Sequence, residues 1–403
     1  MPDNTVSPPP TVEPVLAAGP PPHATGLLAR VRDRIHLALP KGSLRARFAA
    51  GAFWSAMGAV ISQGLGLVAS IVAARLLGRD GFGELGMIQS TVGMLGVFAG
   101  LGLGMTAMKH VAELRNSDPA RAGRIIGMAA QTAWVSGAVI AGAVALAAPY
   151  MAVHTINAPH LMLELRLGCL LLLFNAINGA QNGALSGLEA FKSIAKMNLY
   201  RGLFNFPLII GGVLLWGLPG AVLGSVITAG SGCVIGYLML RRESRASGIV
   251  VSYRRWREEA GVLWRFSMPA FLSSVMFGPV EWLLAAILVN QPDGYAEMGI
   301  FTAAKQWFII ILYLPGMVSA ITLPILSNLW GENQLVRYRR VLFVNSMLLT
   351  GLAAVIAIPI AIASPWVMKM YGSSFSQGWL VLAVTCGYAI LYASNIVVGQ
   401  AIW

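Results

Sequence analysis

The chain is short of charge, and shorter still of acid. Charged residues make up 11% of its 403 positions, with 16 Asp or Glu against 28 Lys or Arg. A soluble domain carries roughly 25% charged residues, so an ordinary water-facing surface is excluded. Cysteine is scarce as well. Cys169, Cys233 and Cys386 all sit in apolar runs without metal or redox spacing, and read as small packing residues. His154 and His160 share a loop with no ligand cluster around them, so no metal is expected. The sequence has no phosphate-binding loop, no HExxH pair and no nucleophile elbow. That removes self-powered ATP pumps and the common hydrolases, and leaves no cofactor to expect. No secretory leader is expected either: the first apolar run starts near Phe48 and is too long and glycine-rich to be a cleaved segment.

Apolar surface is abundant instead. Hydrophobic residues are 57% of the chain, the mean hydropathy is +0.70, and there are 45 glycines. One soluble core cannot absorb this much, so lipid is the expected solvent. The formal charge of +12 first suggests nucleic acid, but the basic residues lie in gaps between apolar runs, as a membrane-orientation signal does. Ten runs are expected to be helices, at about 48–74, 84–108, 125–148, 162–186, 197–216, 219–240, 265–290, 299–323, 341–363 and 378–400. Each can cross roughly 30 Å of hydrocarbon at about 1.5 Å per residue. Outside the runs, 22 Lys and Arg fall on one side of the membrane; the other side has three, Arg75, Arg79 and Lys369. The alternation is unbroken, so the rich side and the N-terminus are expected in the cytoplasm.

This gives a cytoplasmic tail at 1–47, a first bundle of six helices at 48–240, a cytoplasmic linker at 241–264 and a second bundle at 265–403 with four. Residues 1–25 are Pro-rich and expected to be disordered. Leu27, Val31, Ile35 and Ala38 share one helical face, flanked by Arg30, Arg32 and Arg34, which fits either a helix on an anionic membrane or a linker. The linker's Tyr253, Trp256 and Trp264 suit headgroup depth, with its arginines toward anionic lipid. Asp80, Gly81, Phe82, Glu84 and Gly86 are answered 213 residues later by Asp293, Gly294, Tyr295, Glu297 and Gly299, which predicts two related halves. Gly96, Gly100 and Gly104 are expected to form one bare face for close helix packing.

Polar groups at membrane depth are the candidate site, because they are costly there. Arg201, Lys305 and Arg166 are cations able to hold a pyrophosphate. Arg201 and Arg166 have the alternative of snorkelling to an interface. Glu281 is a candidate for a coupling ion, or Glu281 and Lys305 neutralise one another. Asn175, Asn178 and Asn182 form a stripe suited to sugar hydroxyls or to gluing helices together. Pro207, Pro269, Pro279 and Pro315 are expected to kink their helices, and Asp293 and Glu297 to cap or end theirs.

The segment AARLLGRDGFGELGMIQSTVGMLGVFAGLGLGMTAMKHVAE resembles the early part of bacterial polysaccharide-export flippases, within the multidrug/oligosaccharidyl-lipid/polysaccharide exporter superfamily. The likeness is strongest from Phe53 to about Glu113 and continues through LSGLEAFKSIAKMN and WRFSMPAFLSS. It implies an all-α polytopic membrane protein with two related bundles in a V around a central cavity. It further implies that an undecaprenyl-pyrophosphate-linked oligosaccharide moves from the inner to the outer face by alternating access. The partners would be that lipid, anionic lipids, H+ or Na+ as coupling ion, and a polysaccharide polymerase complex; nucleic acid is not among them. Family members have twelve or more helices, so the ten seen here leave the second bundle incomplete or the chain truncated. No family motif falls on Arg201, Lys305 or Glu281, which rest on membrane burial alone. The competing readings are a cation-coupled multidrug or small-molecule exporter on the same fold, a flippase for the peptidoglycan precursor, and a non-transporting scaffold of a polysaccharide assembly complex.

Overall fold

The computed structural model describes residues 44–254, 256–262, 267–268, 271–272, 275, 277–331 and 334–401. The expected surface helix at Leu27–Leu39, and Trp264, Arg265 and Pro269, lie outside them. The chain divides into two units, Met1–Ala50 and Gly51–Trp403. Of the first, only the helical residues 44–50 are described. In the second, every regular element among the described residues is a helix.

Leu44–Gly100 is two helices, α1 (44–77) and α2 (79–100), because Gly78 alone leaves helical geometry, at φ 74°. Glycine takes that conformation without a Cβ clash. Residues 63, 66, 67, 70 and 73 of α1 face the same cavity as 82, 85 and 89 of α2, so the pair is an antiparallel hairpin. The helices α3 (Leu103–Leu114), α4 (Pro119–Tyr150) and α5 (Met162–Gly187) follow. Phe191–Ala246 is a second hairpin, α6 (191–216) and α7 (218–246), reversing at Gly217 with φ 62°. Its arms touch through glycine: a Cβ on Gly212 or Gly220 would stand 2.2 or 1.9 Å from the other's carbonyl oxygen. The remaining helices are α8 (Phe277–Val289), α9 (Gly294–Gly331), α10 (Leu335–Ile362), the short α11 (Ser364–Tyr371) and α12 (Trp379–Ala401).

Seven helical stretches among the described residues are long and apolar enough to cross a membrane. Two of these, Val60–Gly100 and Phe191–Ala246, are the hairpins and hold two passes each, and the shorter apolar Gly278–Val289 adds another segment. The ten expected runs are thus all represented. The helices form two bundles, α3 to α7 packed together and α9, α10 and α12 packed together. One apolar core links α2, through Val92 and Ala99, to α3, α4, α5, α6 and α7 and to Ile249 beyond them. The other joins the two bundles, running from Ile71, Phe82 and Ile88 through Ile156 and Val222 to Met298, Tyr371 and Phe375.

That joining core sits at the arginine-poor end and contains both copies of the internal repeat. Here α2 and α9 cross with backbones in contact. A Cβ on Gly83 would stand 1.8 Å from the Tyr295 carbonyl oxygen, and one on Gly299 2.2 Å from that of Arg79. Arg79 Nε donates to the Ala296 carbonyl at 3.0 Å, and its guanidinium pairs with Glu297. Tyr295 donates to the Ile156 carbonyl at 2.8 Å. Phe82 inserts beside Tyr371 and Phe375, with ring centroids 6.3 and 6.1 Å away. Burial pushes the Tyr371 phenol well above its ordinary pKa, so it stays neutral.

Two expectations are corrected. The run 84–108 is not one helix: Leu101 and Gly102 both take left-handed dihedrals, at φ 45° and 67°, and divide α2 from α3. A break at a Leu-Gly pair is tolerated because glycine supplies half of it. The three-glycine face is therefore interrupted. Gly96 and Gly100 meet nothing within 4 Å, whereas Gly104 lies against α5, where a Cβ on Gly183 would stand 2.0 Å from its carbonyl oxygen. The gap left between the expected runs 48–74 and 84–108 is also mostly helical, since only Gly78 is non-helical there. Pro207 lies inside α6, but the departure from helical dihedrals in that stretch is at Gly217.

The linker is strapped to α4 by a face that the sequence reading passed over. Backbone at Val250 and Ser252 lies so close that Cβ atoms on Gly123 and Gly127 would each stand 2.1 Å from a linker carbonyl oxygen. One turn further along, Gln131 Nε2 donates to the Tyr253 carbonyl at 3.0 Å. Glu259, 4% exposed, accepts from Arg121 Nε at 3.1 Å and Arg124 Nε at 3.2 Å.

Two outcomes are expected. Gly183→Ala should destabilise the purified protein by about 1–3 kcal/mol through overpacking, while Gly96→Ala leaves thermal unfolding unchanged or raised. Equal effects would mean that the left-handed break is absent. Glu259→Gln should speed tryptic cleavage after Arg254 several-fold, because two arginines lose their shared carboxylate. An unchanged rate would show that the glycine face alone holds the strap.

Candidate functional site

Three cavities between the bundles share walls. The first, of about 410 Å³, is lined by Ser62, Gln63 and Gly66 of α1, Asn198, Arg201, Gly202 and Asn205 of α6, Thr228 of α7 and Tyr313 of α9. The second, about 200 Å³, shares Gln63, Gly66 and Asn205 and adds Gln89 of α2 and Gln306 of α9. The third, about 550 Å³, shares Gln89, Gln306 and Ile309 and adds Glu281 of α8, Lys305 of α9 and Tyr388 of α12. Together they form one seam of amides, hydroxyls and charges bounded by both bundles.

Arg201 stands nearer the arginine-rich end. Its helix docks directly on α1, where a Cβ on Gly202 would stand 2.7 Å from the Ser62 Cα. That contact aims the neighbouring guanidinium at the seam. Arg201 Nε and Asn178 Oδ1 lie 3.1 and 3.2 Å from the point a Gly232 Cβ would occupy, so both depend on the missing side chain. Asn178 Nδ2 donates to the Ala229 carbonyl at 3.0 Å, while its Oδ1 is buried without a partner. Among the described residues no carboxylate pairs with Arg201; its electrostatic neighbour is the Cys233 thiol. A guanidinium offers five donors in a fork that fits phosphate.

Lys305 is differently placed. Its Nζ donates to Glu281 at 2.7 Å, so the two charges offset each other inside the third cavity. Glu281 remains the more open of the pair, its side chain 63% exposed against 36% for Lys305. Arg166 is exposed on α5 and Asn175 is exposed further along the same helix; neither lines the seam, and nor does Asn182. Glu164 is buried with Oε2 unpartnered. Asp293 adopts φ 55° just before α9, and its carbonyl accepts from the Glu297 N–H.

Gln63, Gln89 and Gln306 were missed. Each is a lone amide in an apolar run, which is a signal at membrane depth. They come from three separate helices, so spacing within any one run does not reveal the cluster.

Residues 48–330 match the family described as Polysaccharide biosynthesis protein. The EPS I polysaccharide export inner membrane protein EpsE of Ralstonia nicotianae is 23% identical over 352 residues, covering 86% of this chain and 80% of its own. Its counterpart from Ralstonia solanacearum is 22% identical over 356 residues, with 86% and 80% covered. Among solved structures, the inward-facing form of a multidrug resistance MATE transporter aligns with a TM-score of 0.67 at 16% identity, over 84% of this chain and 82% of that one. A transporter of the same superfamily from Pyrococcus furiosus, whose binding pocket has reverse polarity, aligns at 0.59 and 15% identity over 87% and 83%. Fold and family match agree: this chain belongs to the polysaccharide biosynthesis protein family, and it is an all-α, multi-pass membrane protein with the fold of the multidrug transporter structures.

Proposed function

We propose that the protein is a flippase that carries an undecaprenyl-pyrophosphate-linked oligosaccharide from the cytoplasmic to the outer face of the inner membrane, for polysaccharide biosynthesis. The observation that carries this reading is Arg201, a cation at membrane depth, in a polar cavity shared by both bundles, without a carboxylate partner among the described residues. A charge so placed needs an anion or water. Pyrophosphate supplies the anion, and the amides of Gln63, Asn198 and Asn205 beside it suit sugar hydroxyls. The curated relatives are polysaccharide export proteins of an inner membrane, which supports the same cargo.

The basic loops set the N-terminus in the cytoplasm. Arg201 then lies toward the cytoplasm and the tight crossing of α2 and α9 toward the outside. Cargo loads from the cytoplasmic side with its isoprenoid tail left in lipid. No bond is made or broken; seam groups replace the water that phosphates and hydroxyls lose. Further out, a pyrophosphate competes with Glu281 for Lys305. A coupling cation taken up by Glu281 releases Lys305, which gives H+ or Na+ a place in the cycle. Opening outward requires the α2–α9 crossing to separate.

A second reading rests on Glu281 itself. An exposed carboxylate in the third cavity suits a cation-coupled exporter of multidrug type or of another small molecule, and the solved structures of like fold include multidrug transporters.

Proteoliposomes loaded with a defined undecaprenyl-pyrophosphate sugar separate the two. Arg201→Ala should slow translocation about tenfold or more, the worth of a hydrogen bond to a charged group, with Arg201→Lys intermediate. Glu281→Gln should retain transport and lose its response to an imposed cation gradient. Full-rate transport in Arg201→Ala would discard the pyrophosphate assignment. Efflux of a hydrophobic cation lost in Glu281→Gln but kept in Arg201→Ala would select the exporter.

A further inference from the structure

A fourth cavity, of about 680 Å³, lies outside the seam. Its walls come only from α4, α5, α7 and the stretch Gly248–Tyr253, all within the first bundle and at its arginine-rich end. None of its lining residues belongs to the three central cavities.

Three of its lining residues carry a buried polar atom without a hydrogen-bond partner: Gln181 Oε1, Gln131 Oε1 and Ser244 Oγ. Ser244 is 1% exposed and Gln181 is 7% exposed. Each amide is fixed by its other end. Gln181 Nε2 donates to the Cys233 carbonyl at 3.1 Å, and Gln131 Nε2 to the Tyr253 carbonyl at 3.0 Å. Both remaining oxygens can only accept, so an occupant must bring donors. Gly236 makes room for one of them, since a Cβ there would stand 2.2 Å from Gln181 Oε1. The same cavity holds Arg241 and Arg245, one turn apart on α7 and with no ion pair among the described residues, and no carboxylate lines it. At the rim stands Trp134, 54% exposed, with Tyr253 at 45%. Exposed aromatics beside arginines at the end of a long apolar helix mark headgroup depth.

We propose that this cavity binds the headgroup of a bilayer phospholipid that is singly anionic and carries hydroxyls, as phosphatidylglycerol does. Arg241 and Arg245 hold the phosphodiester. The headgroup hydroxyls donate to the two glutamine oxygens and exchange a bond with Ser244. An ammonium headgroup would also donate, but the two arginines repel it. The bound lipid closes over the linker strap, because Tyr253 and Gln131 belong to both.

The test is native mass spectrometry of the full chain released from detergent, with defined lipids added. Wild type should retain one phosphatidylglycerol, several-fold in excess over phosphatidylmethanol, which has the same charge and no hydroxyl, and over phosphatidylethanolamine. The double variant R241Q/R245Q should lower retention roughly thirtyfold, at about fivefold per arginine contact. R242Q, an adjacent exposed arginine that does not line the cavity, should behave as wild type. Equal loss in R242Q would reduce the effect to bulk charge and overturn the site. Equal retention of phosphatidylmethanol would overturn the hydroxyl assignment. Displacement of phosphatidylglycerol by farnesyl diphosphate at lower concentration would reassign the cavity to an isoprenoid cargo, and the bilayer-lipid proposal would fall. None of these outcomes depends on whether Arg201 handles pyrophosphate.

Discussion

An arginine cannot shed its proton inside a protein, so a guanidinium at membrane depth has to be answered by something. Arg201 sets that demand here. No acidic neighbour meets it among the described residues, and the Asn178 oxygen beside it is buried and unpartnered as well. The surrounding amides of Gln63, Asn198 and Asn205 hydrate poorly in hydrocarbon but well in a polar cleft. Arg201 and these three amides line a space that suits water or a polar anion. Lys305 and Glu281 obey the same rule differently, by satisfying each other at 2.7 Å. Among the described residues one cation has no acidic partner and the other is paired.

The rest of the architecture keeps that space between two bundles and closes it at one end. Glycines do the closing. Gly83 and Gly299 bring α2 and α9 into backbone contact, and Phe82 packs against Tyr371 and Phe375 around that crossing. Association in lipid lacks a hydrophobic drive between helices, so close packing and hydrogen bonds must supply it. The Arg79 bonds to Ala296 and Glu297 fit that need. Because the contact is built from the two copies of the repeat, the halves meet through related surfaces. A crossing that rests on backbone contact at Gly83 and Gly299 suits a joint that opens.

Much of this was legible in the residues. Hydropathy and the distribution of arginine marked the helices, since both record the cost of placing charge in lipid. The repeat at Asp80 and Asp293 pointed to two halves, and those turns are where the bundles touch. Arg201 was legible as an isolated charge in an apolar run. Other features were hidden for physical reasons. The break at Leu101–Gly102 looks like one more small residue in a glycine-rich run, because a left-handed leucine leaves no mark in composition. Gly96 and Gly100 share a helical face with Gly104 on paper, and the break removes them from it. The pairing of Glu281 with Lys305 could be entertained but not chosen over the alternatives, and the glutamine cluster needs three helices brought together. The Gly123–Gly127 groove under the linker was overlooked because its partner is bare backbone, which has no sequence signature.

The central claim is that the seam around Arg201 is a wet, cargo-holding space reached from the arginine-rich side. A single cysteine at Asn205, in a chain whose Cys169, Cys233 and Cys386 are replaced, reports on it directly. A small membrane-impermeant thiol reagent should label that cysteine in inside-out vesicles, fail to do so in right-side-out ones, and be blocked by an undecaprenyl-pyrophosphate sugar. Labelling from the outer face alone, or labelling that the cargo leaves unchanged, would contradict the account.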